Sequence, residues 1–381
     1  MTSVCQHRRV HTPVRAEAVI DLDAIGHNVR VLADLAAASG AETMVAVKAD
    51  GYGHGAVPVA RAAVQAGATW LGACSQAEAL ALRAGGLTVP VLAWLDLPSE
   101  DRAPGVSAGV DFGVSSVDEL AALADAADRA GRPARAHLKI DTGMTRNGCA
   151  PSEWATLVAT ARQSAVEVVA VWSHLACADE PGHPSVDEQA ARFDVAYRQA
   201  VDAGCAPLRH LANSAATLTR PDLHFDLVRP GIACYGLNPV SVPVDLRPAM
   251  TFRSSVVATK WIAAGEAVGY GRTWTAEQDT TVALVPVGYA DGVPRSLSNR
   301  FEVWLAGRRR PVVGRVSMDQ LVVDCGGDDV SAGEDVVLFG PGAHGEPTAR
   351  EWANITGTID YEIVTGMYRP RVARRYVGGV G

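Results

Sequence analysis

Short apolar runs alternate with longer amphipathic stretches through the first two-thirds of the chain. Eight runs read as strands: TMVAVKA (43–49), WLGACS (70–75), VPVLAW (89–94), VDFGVSS (110–116), ARAHLKID (134–141), VEVVAVWSHLA (166–176), LRHLANSA (208–215) and FDLVRPGIACYG (225–236). Between them lie Ala-rich segments such as AVPVARAAVQAGA, DELAALADAADRAG and VDEQAARFDVAYRQAVDAG, whose apolar residues recur at helical spacing and several of which end on Gly. The segment DLPSEDRAPGVSAG (96–109) is the weak link, being short and broken by proline. Strands that are apolar throughout and alternate with helices predict a parallel sheet buried on both faces. Eight such units predict a (β/α)8 TIM-type barrel, with a doubly wound open sheet as the alternative. No Gly-x-Gly-x-x-Gly opens a helix after the first run, which removes the main support for a dinucleotide fold.

The pattern changes near residue 245. SSVVATKWI, TVALVPVGYA, FEVWLAG, RRPVVGRVSM, QLVVDC and DVVLFG are β-rich runs separated by turn residues, and no long helical pattern intervenes before TAREWANITGT. The expected organisation is a loose leader over residues 1–15, a barrel over 16–245 and a mainly antiparallel β domain over 246–381.

The length of 381 residues suits two domains, and 48% hydrophobic with 20% charged residues is the balance of a soluble globular chain. A formal net charge of −8 argues against nucleic acid or an anionic membrane as partner. No run approaches the eighteen or so apolar residues of a spanning helix, and the leader lacks an apolar core such as a secretory signal carries. Seven scattered cysteines, without a Cys-x-x-Cys pair, suit reduced thiols in a cytoplasm.

Active sites of such barrels lie at the C-terminal ends of the strands. The polar residues there are Lys48 and Tyr52, then Lys139, Asp141 and Arg146, then His174, then His210, Asn213 and Ser214, and finally Arg229, followed by Gly231 and Ile232. Each alone has an ordinary explanation, since a strand-end histidine is more often a structural hydrogen-bond partner than a catalyst. Their convergence on one barrel mouth is harder to dismiss. The histidines are dispersed and no His-Glu-x-x-His occurs, so no metal is expected; no Gly-x-Ser-x-Gly elbow suggests a serine hydrolase. Small residues at the tops of the last two strands can expose backbone N–H groups to a phosphate. A phosphate site beside a strand-end lysine points to pyridoxal phosphate (PLP) held as a Schiff base.

AVKADGYGHGA, LKIDTGMTRNG, HLANSA, VRPGIACYG, VGYGRTW, VPVGYADG, RVSMDQ and TIDYE, in that order, resemble the successive signatures of bacterial alanine racemase. The resemblance runs from AEAVIDLDAIGHNVRVL to the C-terminus. It implies a fold-type III, PLP-dependent homodimer of barrel and β domain, with sites shared between subunits and the strand near 16–22 joining the β domain. It further implies Lys48 as the Schiff-base lysine and Tyr270, from the neighbouring subunit, as the second acid/base. Tyr52, Ser214, Gly231, Ile232 and Tyr361 would hold the phosphate, with His174, Asn213 and Arg229 also at the cofactor. Arg146, Tyr289, Met318 and Asp319 would serve the substrate, and Lys139 resembles a position carbamylated in many relatives.

Racemisation removes the Cα proton and returns one on the opposite face. The resemblance implies that Lys48 serves the D-face and Tyr270 the L-face, supplying D-alanine as a peptidoglycan precursor. Free lysine and tyrosine have pKa values of about 10.4 and about 10, so burial and cationic neighbours must lower them. Arg229 against the pyridine nitrogen would hold its own proton and leave the ring a weaker electron sink, favouring fidelity over side reactions. His210 would hold Arg229. The alternatives are a racemase of another small amino acid, serine above all, a non-catalytic PLP-binding protein, and a PLP decarboxylase. Such a decarboxylase would usually carry an acid where this chain has Arg229. Asn147, Ser317 and Asp360 depart from the commoner pattern of Leu, Cys and Asn, which bears on pocket shape.

Overall fold

The computed structural model describes residues 14–379, so the expected leader lies, up to residue 13, outside the described residues. These residues divide into two compact units, Asp21–Ala249 with Gly378 and Gly379, and residues 14–20 with Met250–Val377.

After β1 (Glu17–Asp21), the first unit contains β2 (Glu42–Ala46), β3 (Trp70–Ala73), β4 (Val91–Ala93), β5 (Val110–Val114), β6 (Arg135–Lys139), β7 (Glu167–Trp172), β8 (Leu208–His210) and β9 (Leu227–Val228). These eight are all parallel, in the order β8-β7-β6-β5-β4-β3-β2-β9. Main-chain bonds from Asp226 N to Arg209 O (3.2 Å) and Arg229 N to Ala212 O (2.9 Å) join the two ends, so the predicted barrel is present. Burial on both faces explains the runs without polar alternation: β3 and β4 are buried at every position. The connecting helices begin where sequence chemistry calls for it. Ser75 and Ser116 accept from the N–H groups of Glu78 and Glu119, and Gly131 closes Val117–Ala130 at φ 65°. The proline-broken segment folds as a single short helix, Ala103–Ser107.

The second unit is built on a nine-stranded sheet. Its strands are β10 (Met250–Ser255), β11 (Ala258–Ile262), β14 (Thr280–Val285), β15 (Glu302–Leu305), β16 (Arg308–Val313), β17 (Leu321–Gly326), β18 (Asp335–Phe339) and β19 (Ala373–Val377), together with β1. β12 (Ala267–Val268) and β13 (Trp274–Thr275) form a separate antiparallel pair. The N-terminal strand β1 sits between β10 and β19, and the buried pair Arg253–Glu17 (2.7 Å) stands where those residues face each other across the β1–β10 ladder.

Two local readings differ from the structure. The run SSVVATKWI is two strands, because Val256 donates to Glu334 O while Val257 donates to Leu284 O. The chain thus leaves one neighbour, β18, and takes up another, β14. The run TMVAVKA ends as a strand at Ala46, because Ala49, Asp50, Gly51 and Tyr52 follow with φ between 51 and 62°. The helix Asp360–Gly366 and the strand β19 carry too little periodicity to be read from sequence.

Candidate active site

The left-handed turn after Lys48 is costly, since each non-glycine residue with positive φ loses about 1–2 kcal/mol. Three acceptors hold it. Glu78 takes the N–H of Ala49 (2.8 Å) with one carboxylate oxygen and that of Cys74 (2.7 Å) with the other, and Asp50 takes that of Ala56 (2.8 Å). The turn places Lys48 Nζ 5.9 Å from the ring centre of Tyr52 and 6.0 Å from that of Trp94, at the C-terminal end of the barrel. Burial holds the Lys48 amine below the ordinary lysine value; Cys74 and Glu78 oppose the shift, and Arg146 and Arg229 add to it.

Opposite, residues 210–235 form a small cradle. Ser214 Oγ accepts from the N–H groups of Gly231 (2.8 Å) and Ala233 (3.3 Å). A Cβ on Gly231 would lie 2.3 Å from Tyr52 Oη, so only glycine lets phenol, hydroxyl and backbone N–H approach one point. Asn213 caps the helix Ser214–Thr219 through Ala216 N (3.1 Å), and Ile232 is buried.

Arg229 is held by four acceptors through its two terminal nitrogens. Its guanidinium donates to Ser173 O (2.8 Å), Leu211 O (3.3 Å), His210 Nδ1 (3.1 Å) and His174 Nδ1 (3.3 Å), and stacks 4.9 Å from the Trp172 ring. Burial pulls its pKa down to about 9, which leaves it protonated at neutral pH. Burial first, then the charge of Arg229, keeps both His174 and His210 well below the usual histidine range, so both are neutral. Lys139 Nζ lies 4.4 Å from the ring centre of Trp172, and burial with Arg229 and Arg146 lowers its pKa to about 8. Asp141 spends one carboxylate oxygen on the N–H groups of Gly143 (2.9 Å) and Thr145 (3.1 Å), shaping the loop that carries exposed Arg146.

The barrel unit thus brings together Lys48, Tyr52, Lys139, Asp141, Arg146, His174, His210, Asn213, Ser214, Arg229, Gly231 and Ile232. Tyr270, Tyr289, Met318, Asp319 and Tyr361 belong to the β unit. There Tyr289 N and Ala290 N donate to Ser317 O (3.0 Å) and Met318 O (2.8 Å), which ties two segments into one surface. Tyr270 is 74% exposed, Met318 55% and Tyr289 42%. Asp319 is exposed, and Tyr361 lies in the helix Asp360–Gly366, where Asp360 is buried against Arg350 (2.7 Å). Sequence reasoning missed Trp94, Trp172, Glu78, His137 and Asp111. The last two had a signal, a polar residue within an otherwise buried strand.

The alanine racemase N-terminal domain model matches residues 20–239, and the alanine racemase C-terminal domain model matches residues 249–376. This chain belongs to the alanine racemase family. Family membership makes it an isomerase, an amino-acid racemase. It is 54% identical to an alanine racemase of Salinispora arenicola over 96% of this chain and 99% of that one. The alanine racemase from D-cycloserine producing Streptomyces lavendulae superposes with a TM-score of 0.93 at 47% identity, covering 97% of this chain and 99% of the other. That of Bartonella henselae, solved with covalently bound pyridoxal phosphate, gives 0.86 at 31% identity over 96% and 100%. No helix among the described residues is long and apolar enough to cross a membrane, and no His, Cys, Asp and Glu residues among them cluster as a metal site.

Proposed function

We propose that this racemase interconverts L- and D-alanine using pyridoxal 5′-phosphate, as a homodimer in which Lys48 and the partner subunit's Tyr270 exchange the Cα proton on opposite faces. The carrying observation is the meeting of a lowered-pKa lysine with the Tyr52–Ser214–Gly231 cradle at one barrel mouth. The cradle suits a phosphate, because a phenol and a hydroxyl meet beside the main-chain N–H groups of Gly231 and Ala233, which donate to that hydroxyl, around a position that a single Cβ would fill. When bound, the cofactor supplies an electron sink for the charge left at Cα.

The residues of the chain supply the rest. Lys48 is the attachment point and the proton carrier on one face, and its lowered pKa gives it a neutral fraction able to accept a proton. Arg229, held by four acceptors and still charged, presents a donor that does not release its proton, which suits the pyridine nitrogen. Arg146 supplies positive charge near Lys48, Lys139 and His174. Tyr270 stands on the β unit with its ring largely in solvent, so a neighbouring subunit is the natural source of the second face. Around it, Tyr289, Met318 and Asp319 form the substrate entrance, and Tyr361 adds to the phosphate site. Lys139 is the carbamate position: its neutral amine adds to carbon dioxide, one proton leaves, and the resulting anion faces Arg146 and Arg229.

Chiral separation of L-alanine after incubation with the PLP-loaded protein tests the reading. Approach to an equal mixture is expected. Persistence of pure L-alanine by a cofactor-loaded protein overturns it, and a parallel incubation with L-serine sets the substrate breadth.

A further inference from the structure

Arg229 has no carboxylate among its own contacts, although it is buried to 6% exposure. Its compensation lies further down the barrel. His210, which accepts from Arg229 through Nδ1, meets His137 Nδ1 with its Nε2 at 2.9 Å. His137 Nε2 in turn meets Asp111 Oδ2 at 3.2 Å. The other oxygen of Asp111 accepts from Arg135 Nε at 2.9 Å, at the start of β6. Both imidazoles are fully buried, and Asp111 is the one buried carboxylate among the described residues of the barrel unit. Trp172 stacks on His210 (5.5 Å between ring centres, 17° between planes) and Trp70 meets His137 edge-on (5.4 Å).

The ends of this chain dictate its middle. A guanidinium has donors only, so His210 Nδ1 must be a lone pair and its proton must sit on Nε2. His137 Nδ1 is then the acceptor, its proton also sits on Nε2, and that proton points at a carboxylate that only accepts. One arrangement satisfies every group, and the burial of all three residues makes any mispaired one costly. Burial, then the charge of Arg229 and the neighbouring His137, disfavours charging His210.

We propose that His137 and Asp111 are positioning residues for Arg229: the relay Asp111–His137–His210 locks both histidines as Nε2–H tautomers and so keeps an acceptor aimed at the guanidinium from the far end of the barrel. The consequence for catalysis rests on the reading above, in which Arg229 faces the cofactor ring. The tautomer claim does not.

Asp111→Asn separates this from a packing role. Arg135 can only donate, so the amide oxygen must face Arg135 and the amide nitrogen must face His137 Nε2. That requires a lone pair on Nε2, moves the His137 proton to Nδ1, drives the His210 proton to its own Nδ1 and sets N–H against the guanidinium. In the PLP-loaded protein labelled with 15N-histidine, His137 and His210 are expected as Nε2–H tautomers, and the variant is expected to show His210 as Nδ1–H. The maximal rate is expected to fall about tenfold or more, the size of one lost charge-assisted hydrogen bond, with KM for alanine changed far less. Adding Arg135→Met to the variant frees the amide to turn its oxygen back toward His137, and should restore both the tautomer and most of the rate. Nδ1–H tautomers in the parent protein, an unchanged His210 in Asp111→Asn, or no recovery in a folded double variant would each overturn the relay. If the variant does not fold, the parent spectrum alone decides the tautomers. Expected tautomers in a protein that does not racemise alanine would keep the relay and overturn the functional reading instead.

Discussion

The two units present their candidate residues in opposite ways. In the barrel unit most are buried or half-buried and several are hydrogen-bonded to one another: His210 and its neighbour His137 are fully enclosed, and Arg229 donates to four acceptors. In the β unit, Tyr270, Tyr289 and Met318 stand out from the surface, with Tyr270 74% exposed. A buried polar residue must find its partners within its own domain, because leaving one unsatisfied costs about 1–3 kcal/mol. An exposed aromatic has no such obligation, and a cluster of them marks a surface prepared for something else to cover. The barrel therefore fixes the arrangement of its own polar cluster by itself. The β unit offers reach and shape, and in the proposed dimer a second copy makes use of them.

The sharpest way to break this contrast is to remove one proposed proton carrier from each unit. Lys48→Ala should abolish cofactor attachment and lower racemisation by at least about a thousandfold, within the range for loss of an acid/base group. Tyr270→Phe should cost about a hundredfold or more in rate while the cofactor stays bound, since the ring remains and only the hydroxyl goes. Absorbance of the bound cofactor with chiral chromatography reads both. Equal loss of cofactor in the two variants would refute the division of labour.

A smaller effect probes the cradle. In Gly231→Ala the new methyl meets Tyr52 Oη, and overpacking of this kind costs about 1–3 kcal/mol. Cofactor affinity, measured by equilibrium dialysis, should weaken about tenfold or more, and the melting temperature of the cofactor-free protein should fall by about a few degrees as Tyr52 gives way.

The smallest effect concerns Lys139, whose pKa falls to about 8 through burial and the charges of Arg229 and Arg146. A base with a lowered folded-state pKa destabilises the fold wherever it is charged. The cost is full below about 8 and fades as pH rises toward the unfolded value of about 10.4. The contact with Trp172 offsets part of it. In carbon-dioxide-free buffer Lys139→Met should stabilise by about 1–2 kcal/mol at pH 7. Urea denaturation should show that advantage shrinking between about pH 8 and pH 10. An advantage independent of pH would assign the effect to packing instead.

Much of this could be read from the chain. Eight apolar runs separated by helical patterns describe a parallel barrel because strands covered on both faces have no polar side to show. The change to turn-punctuated β runs near residue 245 marks the second unit, whose sheet, after β1, takes up the chain again with β10 at Met250. Lys48, Lys139, His174, His210 and Arg229 stood out as polar residues closing apolar runs, and the barrel rule gave them a common address. Glu78 and Asp111 were not legible in the same way. One looks like a first-turn helix acid and the other like an interruption in a strand, and their purpose depends on groups distant in sequence.

Composition and pattern therefore determined the architecture and the chemical inventory, because burial is a property that each short segment carries in its own residues. Partnership is different. That Glu78 closes the turn behind Lys48, that Val256 and Val257 serve different neighbouring strands, and that Arg229 is linked through two histidines to Asp111 were decided only by tertiary structure. Hydrogen bonds and charge pairs form between residues that folding brings within about 3 Å, and no local periodicity records which residues those will be.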